Sequence, residues 1–289
     1  MVQHIMVATD FSERSDRALR RATLIARETG AALSLVHVVD DDQPRRIIDA
    51  EQDTALALLH EQTVTLKRLD GVSSQSHVVF GTAFSGIVQS AEQARPDLLV
   101  LGPYRRRVLR DTFIGTTAER TIRQVSCPVL MANAPPVSAY RSILLTTDLS
   151  EGSQRALEIA ASVGIAPNAH RSLLLAFDAP VLRLAMSYTI PDEEKETYLE
   201  NERAEAARKL AGFLTSFRTE PFDSIILRHA KATPANEILS VADELSADLI
   251  VVGTRGASGF TRLLLGSVAE EILRRAQRDV LAIPPVRKR

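Results

Sequence analysis

A single cysteine, Cys127, excludes an internal disulfide across these 289 residues. Charge of one sign is missing as well: 35 Lys and Arg stand against 36 Asp and Glu. No net field therefore draws the chain to nucleic acid or an anionic membrane, and only local basic clusters are left to consider. No uninterrupted apolar run approaches the ~18 residues that a bilayer-spanning helix needs. The opening segment MVQHIMVATDFSERS passes straight into a strand pattern, without the basic region and long apolar stretch of a secretory signal. We therefore expect a cytoplasmic protein with neither a membrane nor a nucleic-acid partner. The histidines, His4, His37, His60, His77, His170 and His229, include no pair at metal-ligand spacing, so no structural metal site is expected.

What is present is an alternation of apolar runs and amphipathic stretches, in a composition typical of a soluble globular protein. The apolar run 2–9 ends in Asp10, and Ser12 is placed to cap an amphipathic helix over 13–29 that Gly30 closes. A second strand follows over 31–39, broken by Asp40-Asp41-Asp42-Gln43-Pro44. A long helix spans about 46–69 up to Gly71, and a third strand about 72–80. A helix over 84–93 stops before Pro96, strand 97–102 follows, then a helix over 116–124 and a short strand from Cys127 to Met131. Strands alternating with helices at this spacing predict a parallel α/β sheet with right-handed crossovers.

The pattern then repeats. Ser142-Ile143-Leu144-Leu145-Thr146-Thr147-Asp148 matches the region around Ile5 to Asp10 at an offset of 138, and Ala247 to Gly253 matches Pro96 to Gly102 at an offset of 151. The difference locates an insertion, for which Asp178–Thr197 is the best candidate. The segment 133–138 (NAPPVS) interrupts both periodicities and reads as a linker. Two homologous domains are expected, 1–134 and 140–289. Their last strands, Val129 to Ala132 and Val280 to Ile283, are apolar edge candidates expected to pair with each other.

The second half carries the most specific pattern: Gly253, two residues, Gly256, nine residues, Gly266 and Ser267. It follows an apolar strand and ends where the helix SVAEEILRRAQ begins. Glycines leave no Cβ between backbone amides and an approaching anion, and a helix N-terminus favours negative charge. Turn glycines alone would give such offsets in roughly one chain in a thousand. The pattern is neither GxxxxGK[ST] nor GxGxxG. It resembles the phosphate loop of the universal stress protein family, and the resemblance extends over both halves.

That resemblance implies a five-stranded parallel α/β fold of the Rossmann-like adenine-nucleotide-binding type in each half. It also implies binding of an adenine nucleotide (ATP, or AMP or ADP), with or without Mg. The site residues it implies are Thr147 and Asp148 for ribose, Phe177 through its backbone for adenine, and Gly253, Gly256, Gly266 and Ser267 for phosphate. Arg255 and Arg262 lie in the same loop and either reach phosphate oxygens or remain solvated. Structural alternatives stand beside these: Asp148 as a helix N-cap, and Phe177 as core packing. Cys127 reads as an inert buried thiol or a redox group, and His229 and Lys231 as solvated or catalytic. The first half departs from the pattern, with Arg105 where the second glycine belongs, so ATP is expected to bind there weakly or not at all. The basic loop 105–110 reads as a surface face or a contact with another chain.

The loop contains no Lys, and no base is paired with a metal-binding carboxylate around it, so fast hydrolysis is not expected. The leading expectation is a cytoplasmic ATP-binding stress-response regulator or sensor, dimeric and acting on an unidentified protein partner. The alternatives are a nucleotide-independent interaction scaffold and a slow ATPase.

Overall fold

The computed structural model describes residues 1–103, 117–183, 189–217, 222–254 and 265–285. The first half runs β1 (His4–Ala8), α1 (Glu13–Thr29), β2 (Ala32–Val39), α2 (Arg45–Thr65), β3 (Ser74–Phe80), α3 (Ala83–Ala94), β4 (Leu98–Leu101), α4 (Thr117–Gln124) and β5 (Val129–Met131). The second runs β6 (Ser142–Thr147), α5 (Glu151–Val163), β7 (His170–Phe177), α6 (Pro180–Arg183), α7 (Asp192–Leu214), β8 (Ser224–His229), α8 (Pro234–Glu244), β9 (Leu249–Gly253), α9 (Ser267–Arg275) and β10 (Asp279–Ile283).

Local chemistry accounts for the helix ends. The Ser12, Thr82, Ser150 and Thr233 side chains each accept a backbone N–H of the first turn of α1, α3, α5 and α8, which satisfies a donor the helix itself cannot. Gly30 closes α1 in the left-handed region at φ 76°, a conformation that glycine adopts without a steric penalty. The long helix α2 ends differently from expectation. Its last turn, Leu66–Asp70, is a π-turn ending at Gly71. The strand expected to open at Cys127 begins instead at Val129, because Pro128 has no N–H to give a ladder. Most of the insertion falls where expected: five residues, 40–44, separate β2 from α2, whereas fourteen, 178–191, separate β7 from α7.

The strands form one 10-stranded sheet in the order β3-β2-β1-β4-β5-β10-β9-β6-β7-β8. Every pairing is parallel except the central one, where β5 and β10 run antiparallel. The two apolar edges expected to find each other do so within the chain. Side chains alternate across the sheet: Ile5, Val7, Leu33 and Leu35 enter the core under α1 and α2, while Met6, Val36, Leu99 and Leu101 enter the core on the other face. Each core continues through the second half without a break.

Candidate functional site

Strand order turns back between β1 and β4 in the first half, and between β6 and β9 in the second. Side chains at the carboxyl ends of such strands line a crevice that backbone crossovers leave open. In the second half, β6 pairs with both β7 and β9, so the ends carrying Asp148, Phe177 and Gly253 lie side by side.

The Asp148 turn is held by hydroxyls. Buried Thr147 shares a hydrogen bond with Ser153 (Oγ–Oγ1 2.9 Å), and its Oγ1 accepts the N–H of Leu149 at 3.0 Å. Leu149 takes φ 63°, which is uncommon for a branched side chain and is sustained here by those bonds. Asp148 Oδ1 accepts from the Ser150 N–H at 3.1 Å and from its hydroxyl at 2.5 Å. The N-cap of α5 is therefore Ser150, which corrects the alternative that gave that role to Asp148. Phe177 sends its side chain into the core at 8% exposure. Its carbonyl accepts from Ala230 N–H at 2.8 Å, and its ring lies 5.7 Å from that of His229. Lys231 is exposed.

The phosphate-loop candidates sit at the end of β9. Thr254 is buried and donates its N–H to Ile283, and its carbonyl accepts the Gly266 N–H at 2.9 Å. The excursion between Thr254 and Gly266 thus leaves and returns at one hydrogen bond, directly before α9. Gly266 is the N-cap of that helix and has no side chain to offer its amides, unlike the capped helices α1, α3, α5 and α8. Ser267 is the first helical residue. Arg255, Gly256 and Arg262 lie outside the described residues, as do Arg105 and the rest of the basic loop.

The first half repeats the turn with one addition. Thr9 Oγ1 lies 3.1 Å from Ser15 Oγ and accepts the Phe11 N–H at 3.1 Å. Phe11 takes φ 57°, and Asp10 Oδ1 accepts from Ser12 N–H and hydroxyl. Burial works to raise the Asp10 pKa, but the Ser12 hydrogen bonds, with Ser15 and Arg14, outweigh it and hold the carboxyl below its ordinary value. The addition is Arg14, whose guanidinium lies 3.6 Å from Asp10 Oδ2. The residue related to it by the repeat is Gly152. Next to this pair is a crevice of about 300 Å³ lined by Asp10, Arg14, His37, Gly102, Pro103 and Thr117. His37 donates from Nδ1 to the Thr9 carbonyl at 2.9 Å and stacks on Phe11 at 4.5 Å. Gly102 is required by packing: a Cβ there would stand 2.6 Å from the Arg14 carbonyl oxygen.

Sequence reading missed the Arg14–Asp10 pair and the His37–Phe11 stack. The signal for the first was available, an Arg four residues beyond an Asp at a helix start. The second needs tertiary contact. Among the described residues no group of three His, Cys, Asp or Glu could hold a metal ion, and no described helix is long and apolar enough to cross a membrane.

A five-stranded α/β unit of Rossmann-like type, present twice and joined edge to edge, is the class this architecture defines. The Universal stress protein family profile matches residues 1–133 and again 139–284, so the chain belongs to the universal stress protein family. A universal stress protein of Mycobacterium tuberculosis is 25% identical over 298 residues, covering 96% of each chain. Universal stress protein E of Escherichia coli is 22% identical over 308 residues, covering 99% of this chain and 95% of its own. Among solved structures, a universal stress protein from Archaeoglobus fulgidus superposes with a TM-score of 0.70 at 18% identity, covering 97% of this chain and 98% of its own. This last likeness is one of fold.

Proposed function

We propose that the chain is a cytoplasmic adenine-nucleotide-binding regulator of the stress response, with the nucleotide, ATP or its di- or monophosphate, held in the second half. The observation that carries this reading is the start of α9: a helix N-terminus without a side-chain cap, placed by the Thr254–Gly266 hydrogen bond at the carboxyl end of β9. Free amides and the positive end of a helix dipole there suit a phosphate. In this reading Gly253, Gly266 and Ser267 line the phosphate path, and Gly256 and Arg255, which belong to the same sequence motif, are assigned to phosphate with them. Asp148, held by Ser150, accepts from ribose hydroxyls with Thr147 as its support. The strand end at Phe177 faces adenine through its backbone. Mg enters with the phosphates, since magnesium binding of this kind takes its ligands largely from phosphate and water.

Binding is weak or absent in the first half, where Arg14 already occupies Asp10 and Arg105 replaces the second glycine. No catalytic step belongs to this reading. A partner protein would respond to the difference between nucleotide-bound and nucleotide-free surfaces. The β5 and β10 edges are consumed within the chain, so a homodimer would use another surface.

Calorimetric titration with ATP should give one tight site per chain, and denaturing the purified protein should release adenine nucleotide detectable by mass spectrometry. Two equal sites would overturn the asymmetry. No binding and no released nucleotide would favour an interaction scaffold instead.

A further inference from the structure

The central β5–β10 pairing sets Leu130 opposite Leu281, and these two residues occupy the same place in the repeat, 151 apart. The halves therefore meet around an approximate twofold axis through that pair. A side chain on one side of this seam can be compared with its repeat-related position on the other.

One side is filled and polar. Arg21 of α1 approaches Asp279 of β10 at 2.8 Å, with the side chains 5% and 0% exposed. This contact is ionic rather than an aligned hydrogen bond. Asp279 also accepts the Tyr140 hydroxyl at 2.6 Å and the Ala134 N–H at 2.8 Å. Arg21 donates to the Ser138 carbonyl at 2.7 Å and lies 4.2 Å above the Tyr140 ring. Asn133 donates to the Arg278 carbonyl.

On the other side the same positions hold Ile159 for Arg21, Val2 for Tyr140, Pro128 for Asp279, Cys127 for Arg278 and Pro284 for Asn133. Each polar or charged side chain has an apolar or weakly polar replacement. All five replacements line a cavity of about 710 Å³. A ring, a guanidinium and a carboxylate are missing from that side, and space left by shorter side chains in a rigid frame is not wholly recovered by relaxation. The volume is that of small-molecule sites. At the edge are Glu92, Arg95 and Asp97. The Asp97 carboxylate accepts the Gln3 and His4 amides, while Arg95 is exposed and has no ion-pair partner among the described residues.

We infer that this cavity binds a planar aromatic small molecule of one or two rings bearing a single anionic group, its rings against Val2, Pro128 and Ile159 and its anion towards Arg95. The filled side supplies the template, because an aromatic ring with a charged neighbour occupies the equivalent space there. Glu92 and Asp97 beside Arg95 disfavour a polyanion, which separates this ligand class from nucleotides. The inference is independent of the nucleotide reading.

The test uses 5-dimethylaminonaphthalene-1-sulfonate, a two-ring aromatic monoanion whose fluorescence rises on transfer to an apolar site. Wild-type protein should bind it saturably, and excess ATP should not displace it. Ile159→Trp and Val2→Tyr, which fill the cavity without adding charge, should each weaken binding at least about tenfold. Cys127 is the chain's only cysteine, so its alkylation by iodoacetamide, followed by mass spectrometry, reports on this cavity alone. Saturating probe should slow that alkylation in wild type and not in the variants. If Ile159→Trp fails to fold by circular dichroism, Val2→Tyr and wild-type protection decide. Unchanged alkylation under saturating probe, equal affinity in the folded variants, or displacement by ATP would each overturn the inference.

Discussion

The two halves of the chain agree in the turns, caps and anchors that hold the backbone, and differ in side chains beside the Asp turn and across the seam. Both keep a Thr-Asp turn with a left-handed third residue, at Phe11 and at Leu149, and both cap the next helix with a serine. Both anchor their first strand with an aspartate that accepts two backbone amides, Asp97 from Gln3 and His4, Asp248 from Arg141 and Ser142. Beside the turn, however, Arg14 pairs with Asp10 in one half, whereas Gly152 stands there in the other. Across the seam a buried ion pair on one side is matched by a cavity on the other. The repeat keeps its scaffold and varies the side chains set on it, so a candidate site in one half need not recur in the other.

The largest expected effect tests the seam. Arg21→Met removes a cation from beside a carboxylate with no exposure, and leaving one partner of such a pair costs about 3–5 kcal/mol. Ile159→Met, on the cavity side, should cost less than about 1.5 kcal/mol. Urea unfolding of the two variants measures the difference, and equal losses would mean that the two sides are not energetically distinct. The pair also has a pH signature. Burial raises the Asp279 pKa above 3.8 despite the opposing Arg21, Tyr140 and Ala134. Its folded state therefore holds the proton more tightly than the unfolded chain. Its contribution is present below 3.8 and is lost as pH rises through the higher folded value. Arg21→Met should steepen that loss.

Next in size is the helix start in the second half. Gly266 has φ −62° and ψ 143°, a conformation any residue adopts, so Gly266→Asp introduces no backbone strain. The new carboxylate would cap α9 and repel phosphate. Nucleotide affinity should fall about 100-fold, or ~2.7 kcal/mol, while the melting temperature stays level or rises. Unchanged affinity would remove the phosphate from this helix and with it the carrying observation for the function.

Much of this was legible from residue patterns because it rests on local chemistry. The alternation of strands and helices, the repeat, the Ser12 cap and the paired last strands follow from apolar periodicity, a short polar residue at a helix start and two unpaired edges, whereas in the second half the cap is Ser150, two residues past the Asp148 that the same reading offered. The seam was not legible. Arg21, Tyr140 and Asp279 are far apart in sequence and each reads alone as an ordinary surface or strand residue, and only the antiparallel β5–β10 register brings them together. Asp97 and Asp248 were visible as a repeated pair, but an aspartate that holds backbone amides looks the same in sequence as one that faces solvent. Gly102 could be read as a phosphate glycine, and in the structure the close approach of the Arg14 backbone already requires it.

A smaller effect probes the turn beside Asp148. Gly152→Arg recreates in the second half the pair seen between Arg14 and Asp10, and in a helix it also gains some propensity over glycine. A guanidinium beside Asp148 should compete with ribose hydroxyls for its carboxylate, lowering ATP affinity about tenfold, or ~1.4 kcal/mol. Titration of the variant beside wild type decides. An increase would mean that the new guanidinium meets phosphate, placing the phosphates near Asp148 and the ribose elsewhere.

The smallest effect concerns Cys127 and the character of the cavity side. Burial raises its thiol to about 11, with Asp97 adding to the rise and backbone hydrogen bonds at Cys127 and Leu99 opposing it. Only the thiolate reacts with iodoacetamide, so the alkylation rate should climb nearly tenfold per pH unit from about pH 8 to 10. An ordinary thiol would level off near its value of ~8.5. The rising profile corresponds to a thiol held away from water, as a cavity with apolar walls requires. Its folded-state pKa lies above the unfolded one, so the stability this group contributes is present at neutral pH and is lost as pH rises towards 11. A plateau near pH 9 would show a hydrated thiol, and would make the cavity side of the seam as polar as the side sealed by Arg21 and Asp279.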